Sequence, residues 1–157
     1  MNVQVLGAGS FGMVLARLLA GNGHAVRLWC HSGVAAFRQT RERPEYLPGV
    51  ILPPKVEISD EVDPDADFAV LAVPSHVLRE VVKQHPFSPK TVRINVAKGI
   101  ENGTLLRMSE IIDEVTPNAP VVSLSGPSHA EEVAAGLPTT VVVAGRDDAV
   151  CVNVQEL

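Results

Sequence analysis

The sequence lacks any block of basic residues: 13 Lys and Arg stand against 18 Asp and Glu, a formal net charge of −5. Nucleic acid, which asks for a concentrated positive patch, is excluded as a partner. No apolar stretch is long enough to cross a bilayer, and Met1 leads straight into a strand-like segment. Neither a signal peptide nor a membrane anchor is expected. Cysteine is sparse, with only Cys30 and Cys151. Their separation has none of the spacing of a metal site, so free thiols in a reducing cytoplasm are expected, and no metal. Internal repeats and low-complexity segments are absent. What remains is a chain of 157 residues with 46% hydrophobic content, enough for one domain with a real core.

The most informative stretch is the first one. Val3-Gln4-Val5-Leu6 reads as a short apolar strand, followed by Gly7-Ala8-Gly9-Ser10-Phe11-Gly12 and a helical run. Gly7, Gly9 and Gly12 fill the three glycine places of a dinucleotide-binding fingerprint. The first glycine allows the tight turn, the second lets a pyrophosphate approach the backbone, and the third lets helix and strand pack closely. The helix start offers free N–H groups and a positive dipole end to an anion. A helix over 13–20, a stop at Gly21-Asn22-Gly23 and a strand over 25–30 complete a βαβ unit, with parallel strands and a right-handed crossover.

Where a carboxylate commonly ends the second strand of such a unit, this chain has Cys30-His31-Ser32-Gly33, and no carboxylate until Glu42. A carboxylate there bonds a ribose 2′-hydroxyl and repels a 2′-phosphate. Its absence favours NADP over NAD, with His31 and Ser32 facing the phosphate and Arg38 or Arg41 near. His31 as a mere cap of the next helix is the competing reading. A short helix is expected over 35–43. Residues 44–54 contain four prolines and form a long ordered loop. Tyr46 and Leu47 either pack beneath that loop or cover a ligand, with packing preferred.

Further strands are expected over 55–58, 67–75, 91–96, 121–125 and 139–144, and helices over 77–84 and 104–115. Ser75 is placed to cap the first of these helices. Lys98, just past a strand and before Gly99, is the strongest polar candidate for a ligand contact. A second glycine turn, Gly126-Pro127-Ser128-His129, opens a helix, with Pro127 suited to its first turn. Ser128 and nearby N–H groups are placed to bind a phosphate or hydroxyl. Asp147 begins a final helix that is still running at Leu157. The whole reads as α/β: a Rossmann-type, mostly parallel, doubly wound sheet with helices on both faces over 1–157.

Several motifs occur in order: the glycine fingerprint, Asn22-Gly23-His24, Tyr46-Leu47-Pro48, Val73-Pro74-Ser75, Lys98-Gly99-Ile100-Glu101, Ser125 through Val133, and Gly136-Leu137-Pro138-Thr139. Together they resemble the bacterial NAD(P)-dependent sn-glycerol-3-phosphate dehydrogenases over essentially the whole chain. The resemblance implies reversible hydride transfer between NAD(P)H and dihydroxyacetone phosphate, giving glycerol 3-phosphate for phospholipid synthesis in the cytoplasm. It implies cofactor contacts from Ser10, Phe11, His31, Lys98 and Ala130, beside Gly7, Gly9 and Gly12. It also implies substrate contacts from Lys98, Gly126 and Ser128, with Lys98 positioning or polarising the substrate.

Members of that family continue into a helical C-terminal domain carrying a second, proton-transferring lysine. The chain is therefore expected to be the cofactor domain alone, with the 150–154 stretch packing against that absent domain. A homodimer of the full-length protein is allowed for. Two other readings compete. One is another dehydrogenase of this layout, of hydroxyacyl-CoA, 6-phosphogluconate or ketopantoate type. The other is a non-catalytic module that senses nucleotide.

Overall fold

In the first strand, β1 (Asn2–Leu6), side chains alternate between the two faces of a sheet, and every residue after Asn2 is buried, Gln4 included. Val3 and Val5 enter one core with helix residues Met13 and Ala16, and Leu6 enters another with Leu78 and Ile111. A strand covered on both faces belongs in the middle of a layered α/β structure. The computed structural model, which describes residues 1–157, has that architecture. One seven-stranded sheet runs in the order β3-β2-β1-β4-β5-β6-β7. The strands after β1 are β2 (Ala25–Trp29), β3 (Val56–Ser59), β4 (Phe68–Leu71), β5 (Val92–Asn95), β6 (Val121–Ser125) and β7 (Val142–Gly145). The first six are mutually parallel, and β7 pairs antiparallel with β6.

The helices are α1 (Ser10–Gly21), α2 (Val34–Thr40), α3 (Leu78–Gln84), α4 (Met108–Val115), α5 (Ala130–Ala134) and α6 (Asp148–Gln155). Helix α1 shares a core with Phe37 of α2 and Val154 of α6, while α3 and α4 cover the opposite face. The sheet is doubly wound, as expected. A third, small cluster joins Val14 of α1 and Ala130 of α5 to Leu47 and Val50, and it pins the proline-rich loop beneath those two helices.

Register decides where the site lies. Trp29 pairs with Leu6, Leu6 with Leu71, Leu71 with Asn95, and Asn95 with Ser123. These residues form one transverse row near the carboxyl ends of five parallel strands. The segments holding Gly9, His31, Lys98 and Gly126 all leave the sheet beyond that row, on one rim.

Some expected boundaries shift. The strand expected over 67–75 spans only Phe68–Leu71, with the Ala72 N–H donating a last hydrogen bond to the Leu6 carbonyl before Pro74, which cannot donate to a ladder. A 3₁₀ turn, Ser75–Val77, precedes α3, and Ser75 makes no capping hydrogen bond. The helix expected from 104 begins at Met108: Ile100 and Arg107 form an isolated bridge, and Leu105 sits at φ 59°. Arg107 and Glu110 close the helix start reciprocally. Pro127 falls outside α5, whose N-cap is His129. The last strand begins at Val142, and α6 ends at Gln155 with Glu156 as its cap, short of Leu157. Val154 is buried, and Val150, Cys151 and Leu157 pack on the same core, whereas Val152 on the other side of α6 is 50% exposed.

Candidate functional site

Each fingerprint glycine has a separate local cause. Gly7 holds φ 111°, a conformation that side-chain-bearing residues rarely adopt, and a Cβ there would strike the Ala72 carbonyl. At Gly12 a Cβ would collide with the carbonyl oxygen of Gly7. Gly9 differs: a Cβ there would meet nothing within 4 Å. The space in front of Gly9 is an opening, and Gly9 is also the N-cap of α1. No side chain caps that helix, so its first-turn N–H groups face the opening.

The opening is a cavity of about 690 Å³. The turn over residues 7–11 forms one wall, and Trp29, His31 and Ser32 at the end of β2 continue it. Val73, Pro74 and Ala97, beyond β4 and β5, form the far side. Arg43 and Tyr46 reach in from the proline-rich loop. That loop is tied to the turn by the Ser10 hydroxyl, which donates to the Tyr46 carbonyl at 2.6 Å. Tyr46 and Leu47 divide the roles proposed for them: Leu47 is 2% exposed in the core, whereas Tyr46 is 46% exposed and lines the cavity.

Arg43 is held tightly. Its guanidinium lies 4.7 Å from the Tyr46 ring centroid and 5.6 Å from that of Phe37. Its Nε donates to Glu45 Oε1 at 3.0 Å and its Nη1 to Cys30 Sγ at 3.1 Å. The two arginines expected near a 2′-phosphate lie elsewhere. Arg38 donates to the Ile58 carbonyl and pairs with Asp60, and Arg41 is spent on the carbonyls of Leu52, Pro53 and Val56. His31 makes no cap on α2, whose N-cap is Gly33 in the left-handed region. It lines the cavity with its ring 6.0 Å from that of Trp29.

Lys98 leaves the end of β5 and lines a second cavity of about 920 Å³, along with Asn95, Ser123 and Ser125. Ala97 belongs to both walls, so the two spaces adjoin there. Lys98 Nζ donates to the Gly126 carbonyl at 3.2 Å, and the Ser128 hydroxyl donates to the same oxygen at 3.5 Å. Lys98, Gly126 and Ser128 thus come together as one group. Gly126 is glycine because a Cβ would press on the Thr140 carbonyl at 2.7 Å. Of the group only Lys98 lines a cavity; Gly126 and Ser128 line neither, and nor do Gly12 and Ala130, the last 8% exposed and packed against Val14 and Leu47.

The lysine loop is braced from behind. Arg79 of α3 donates to both carboxylate oxygens of Glu101, at 2.7 and 2.8 Å, and to Glu114 of α4 at 2.9 Å. The hydrogen bonds from Arg79 and then from Thr104 hold the Glu101 carboxyl down to about 2, well below its usual 4.5. Sequence reasoning missed Arg43 and Trp29. The available signals were position just before the proline-rich loop for the first, and at the last place of a strand carboxyl end for the second.

A glycine turn opening onto an uncapped helix, at the carboxyl rim of a doubly wound parallel sheet, defines the class of dinucleotide-binding α/β domains. Within that class the chain belongs to the family described as NAD-dependent glycerol-3-phosphate dehydrogenase N-terminus, whose profile matches residues 2–151. It is 46% identical to a glycerol-3-phosphate dehydrogenase [NAD(P)+] of Pelodictyon phaeoclathratiforme, over 100% of this chain and 50% of that protein. The corresponding protein of Syntrophotalea carbinolica is 44% identical, again over 100% of this chain and 50% of its own length. The crystal structure of glycerol-3-phosphate dehydrogenase from Coxiella burnetii superposes with a TM-score of 0.90 at 29% identity, over 99% of this chain and 50% of that one. A 2-dehydropantoate 2-reductase of Methylococcus capsulatus shares the fold at a TM-score of 0.58 and 19% identity, over 83% of this chain and 44% of that one. The chain spans about half the length of the curated relatives it matches.

Proposed function

We propose that the chain is the cofactor-binding half of an NAD(P)-dependent dehydrogenase that interconverts dihydroxyacetone phosphate and sn-glycerol 3-phosphate. The observation that carries the reading is the shared rim: the open face of Gly9 and the Lys98–Gly126–Ser128 group adjoin through Ala97. The residues fit the cofactor. The uncapped first turn of α1 suits a pyrophosphate, and the absence of a Cβ at Gly9 leaves room for it. Missing a carboxylate at the end of β2, the site favours NADP over NAD.

A bound nicotinamide dinucleotide supplies or accepts the hydride. The remaining work is done by side chains. As the carbonyl carbon of dihydroxyacetone phosphate is reduced, negative charge grows on its oxygen. The Lys98 ammonium, exposed beyond β5 and anchored only to a backbone carbonyl, is free to turn toward that oxygen or toward the substrate phosphate. Gly126 and Ser128 offer main-chain and hydroxyl groups to the same substrate. The proton itself is assigned to a lysine in the half of the relatives' length that lies outside this sequence. In this reading the enzyme works in the cytoplasm, feeds phospholipid synthesis and assembles as a homodimer through that other half.

The test has two parts. Titrated with NADPH and NADH, the chain binds dinucleotide yet oxidises NADPH with dihydroxyacetone phosphate negligibly, and robust turnover by the chain alone overturns the division of labour. Joined to the C-terminal half of a relative, the Lys98→Ala variant loses about 100-fold or more in kcat/KM. A loss of less than threefold favours a nucleotide-sensing module instead.

A further inference from the structure

We infer that Arg43 is the residue that selects the cofactor, binding a phosphate on the adenosine 2′-oxygen. The inference rests on the dinucleotide reading above and goes beyond it by naming a specificity determinant. In sheets of this topology the pyrophosphate lies at the glycine turn and the adenosine ribose lies over the end of the second strand. The residue just after that strand is Cys30, where a ribose-binding carboxylate would stand. Its thiol donates to the Ser32 carbonyl at 2.8 Å, and its sulfur accepts from Arg43 Nη1 at 3.1 Å. A guanidinium therefore occupies the surroundings of the ribose 2′-position, with the charge opposite to that of a carboxylate.

The position is fixed in advance. The Tyr46 and Phe37 rings flank the guanidinium, and the side chain is 17% exposed. Proline-rich backbone carries it, and Leu47 and Val50 bury that backbone beneath α1 and α5. A preformed guanidinium loses little freedom on engaging phosphate, and its fork matches two phosphate oxygens. Nη2 has no partner in the protein. His31 and Ser32 stand beside it on the cavity wall and supply further polar contacts. Glu45 engages Nε and Cys30 Sγ engages Nη1, which leaves Nη2 as the free corner of the fork.

The test uses the full chain, with the fluorescence of Trp29, the single tryptophan and a wall of the cavity, reporting binding of NADPH and of NADH. The wild type binds NADPH at least about tenfold tighter than NADH. Arg43→Gln weakens NADPH by about 10- to 100-fold, the range for a charged hydrogen bond to phosphate, and changes NADH by less than about threefold. Arg43→Lys keeps the charge but loses the fork, and its NADPH affinity falls between the other two. Because NADH reads the same cavity without the 2′-phosphate, unchanged NADH binding shows that the loop has kept its shape. Equal loss of both ligands in both variants, or no loss of either, overturns the inference while the dinucleotide reading stands. Failure of the wild type to bind either ligand overturns both.

Discussion

At the scale of the residue, the three fingerprint glycines separate function from stability. Gly9 and Gly12 are only three positions apart, but an added methyl has opposite fates. At Gly12 it is driven into the Gly7 carbonyl, and overpacking of this kind costs about 1–3 kcal/mol. At Gly9, with φ −81°, it stands in open cavity space, and the change at this N-cap is within about 1 kcal/mol. Gly9→Ala is therefore expected to unfold in urea close to the wild type while losing most NADPH affinity. Gly12→Ala is expected to shift the unfolding midpoint clearly downward. Urea melts paired with NADPH titration check both, and a Gly9→Ala variant that binds normally would show that no phosphate approaches that backbone. The fingerprint was legible because its spacing encodes local geometry: Gly7 and Gly12 are forced by the backbone around them, and Gly9 sits between them at the helix start. Arg43 was not legible. Arg38 and Arg41 lie nearer His31 in sequence, but their guanidinium groups are consumed by main-chain carbonyls of the loop and of β3, or by Asp60. Only the fold distinguishes a structural arginine from a ligand-facing one.

Among the elements, those with a clear apolar period were read correctly, as for β6 over Val121–Ser125, and those set by tertiary contacts were not. The segment before α4 illustrates the difference. Its composition is compatible with helix from 104, yet the chain there turns back to bridge Ile100 with Arg107, and Glu101 is seized by Arg79. This ion pair links α3 to the loop that carries Lys98, with both side chains 19% exposed. It also has a pH signature. Because the Glu101 carboxyl is held at about 2 when folded against 4.5 ordinarily, its share of stability is complete above pH 4.5 and is lost as pH falls toward 2. Glu101→Gln lacks that share from the start. The wild type is expected to be the more stable at pH 7, with the difference shrinking between pH 4.5 and 2. Urea midpoints across that interval measure it, and a pH-independent difference would mean that the pair contributes packing rather than charge.

Across the whole molecule, the parallel alternation of strand and helix foretold the doubly wound sheet, but not the direction of its last strand. β7 follows the short helix α5 and returns against β6, since Gly136 at φ 76° and Pro138 turn the chain too soon for a crossover. Its residues are largely exposed, with Val142 at 64%, whereas every residue of β4 is buried. The sheet is thus graded in stability from a protected centre to a solvated edge. Binding at the rim of β1 and β2 acts on that gradient unevenly. A ligand at 100 times its Kd stabilises the folded chain by about 2.7 kcal/mol, and the gain reaches only amides that exchange through openings in which the site is lost. Amides of β1 and β4, held until the whole domain opens, are expected to exchange about 100-fold more slowly with NADPH at that concentration. Amides of β7, released by local fraying at an edge remote from Gly9, are expected to keep their rates. Hydrogen exchange followed with and without NADPH distinguishes the two groups. If β7 slowed in parallel with β1, the sheet would open as a single unit, and the cofactor site would be coupled to the far edge of the molecule.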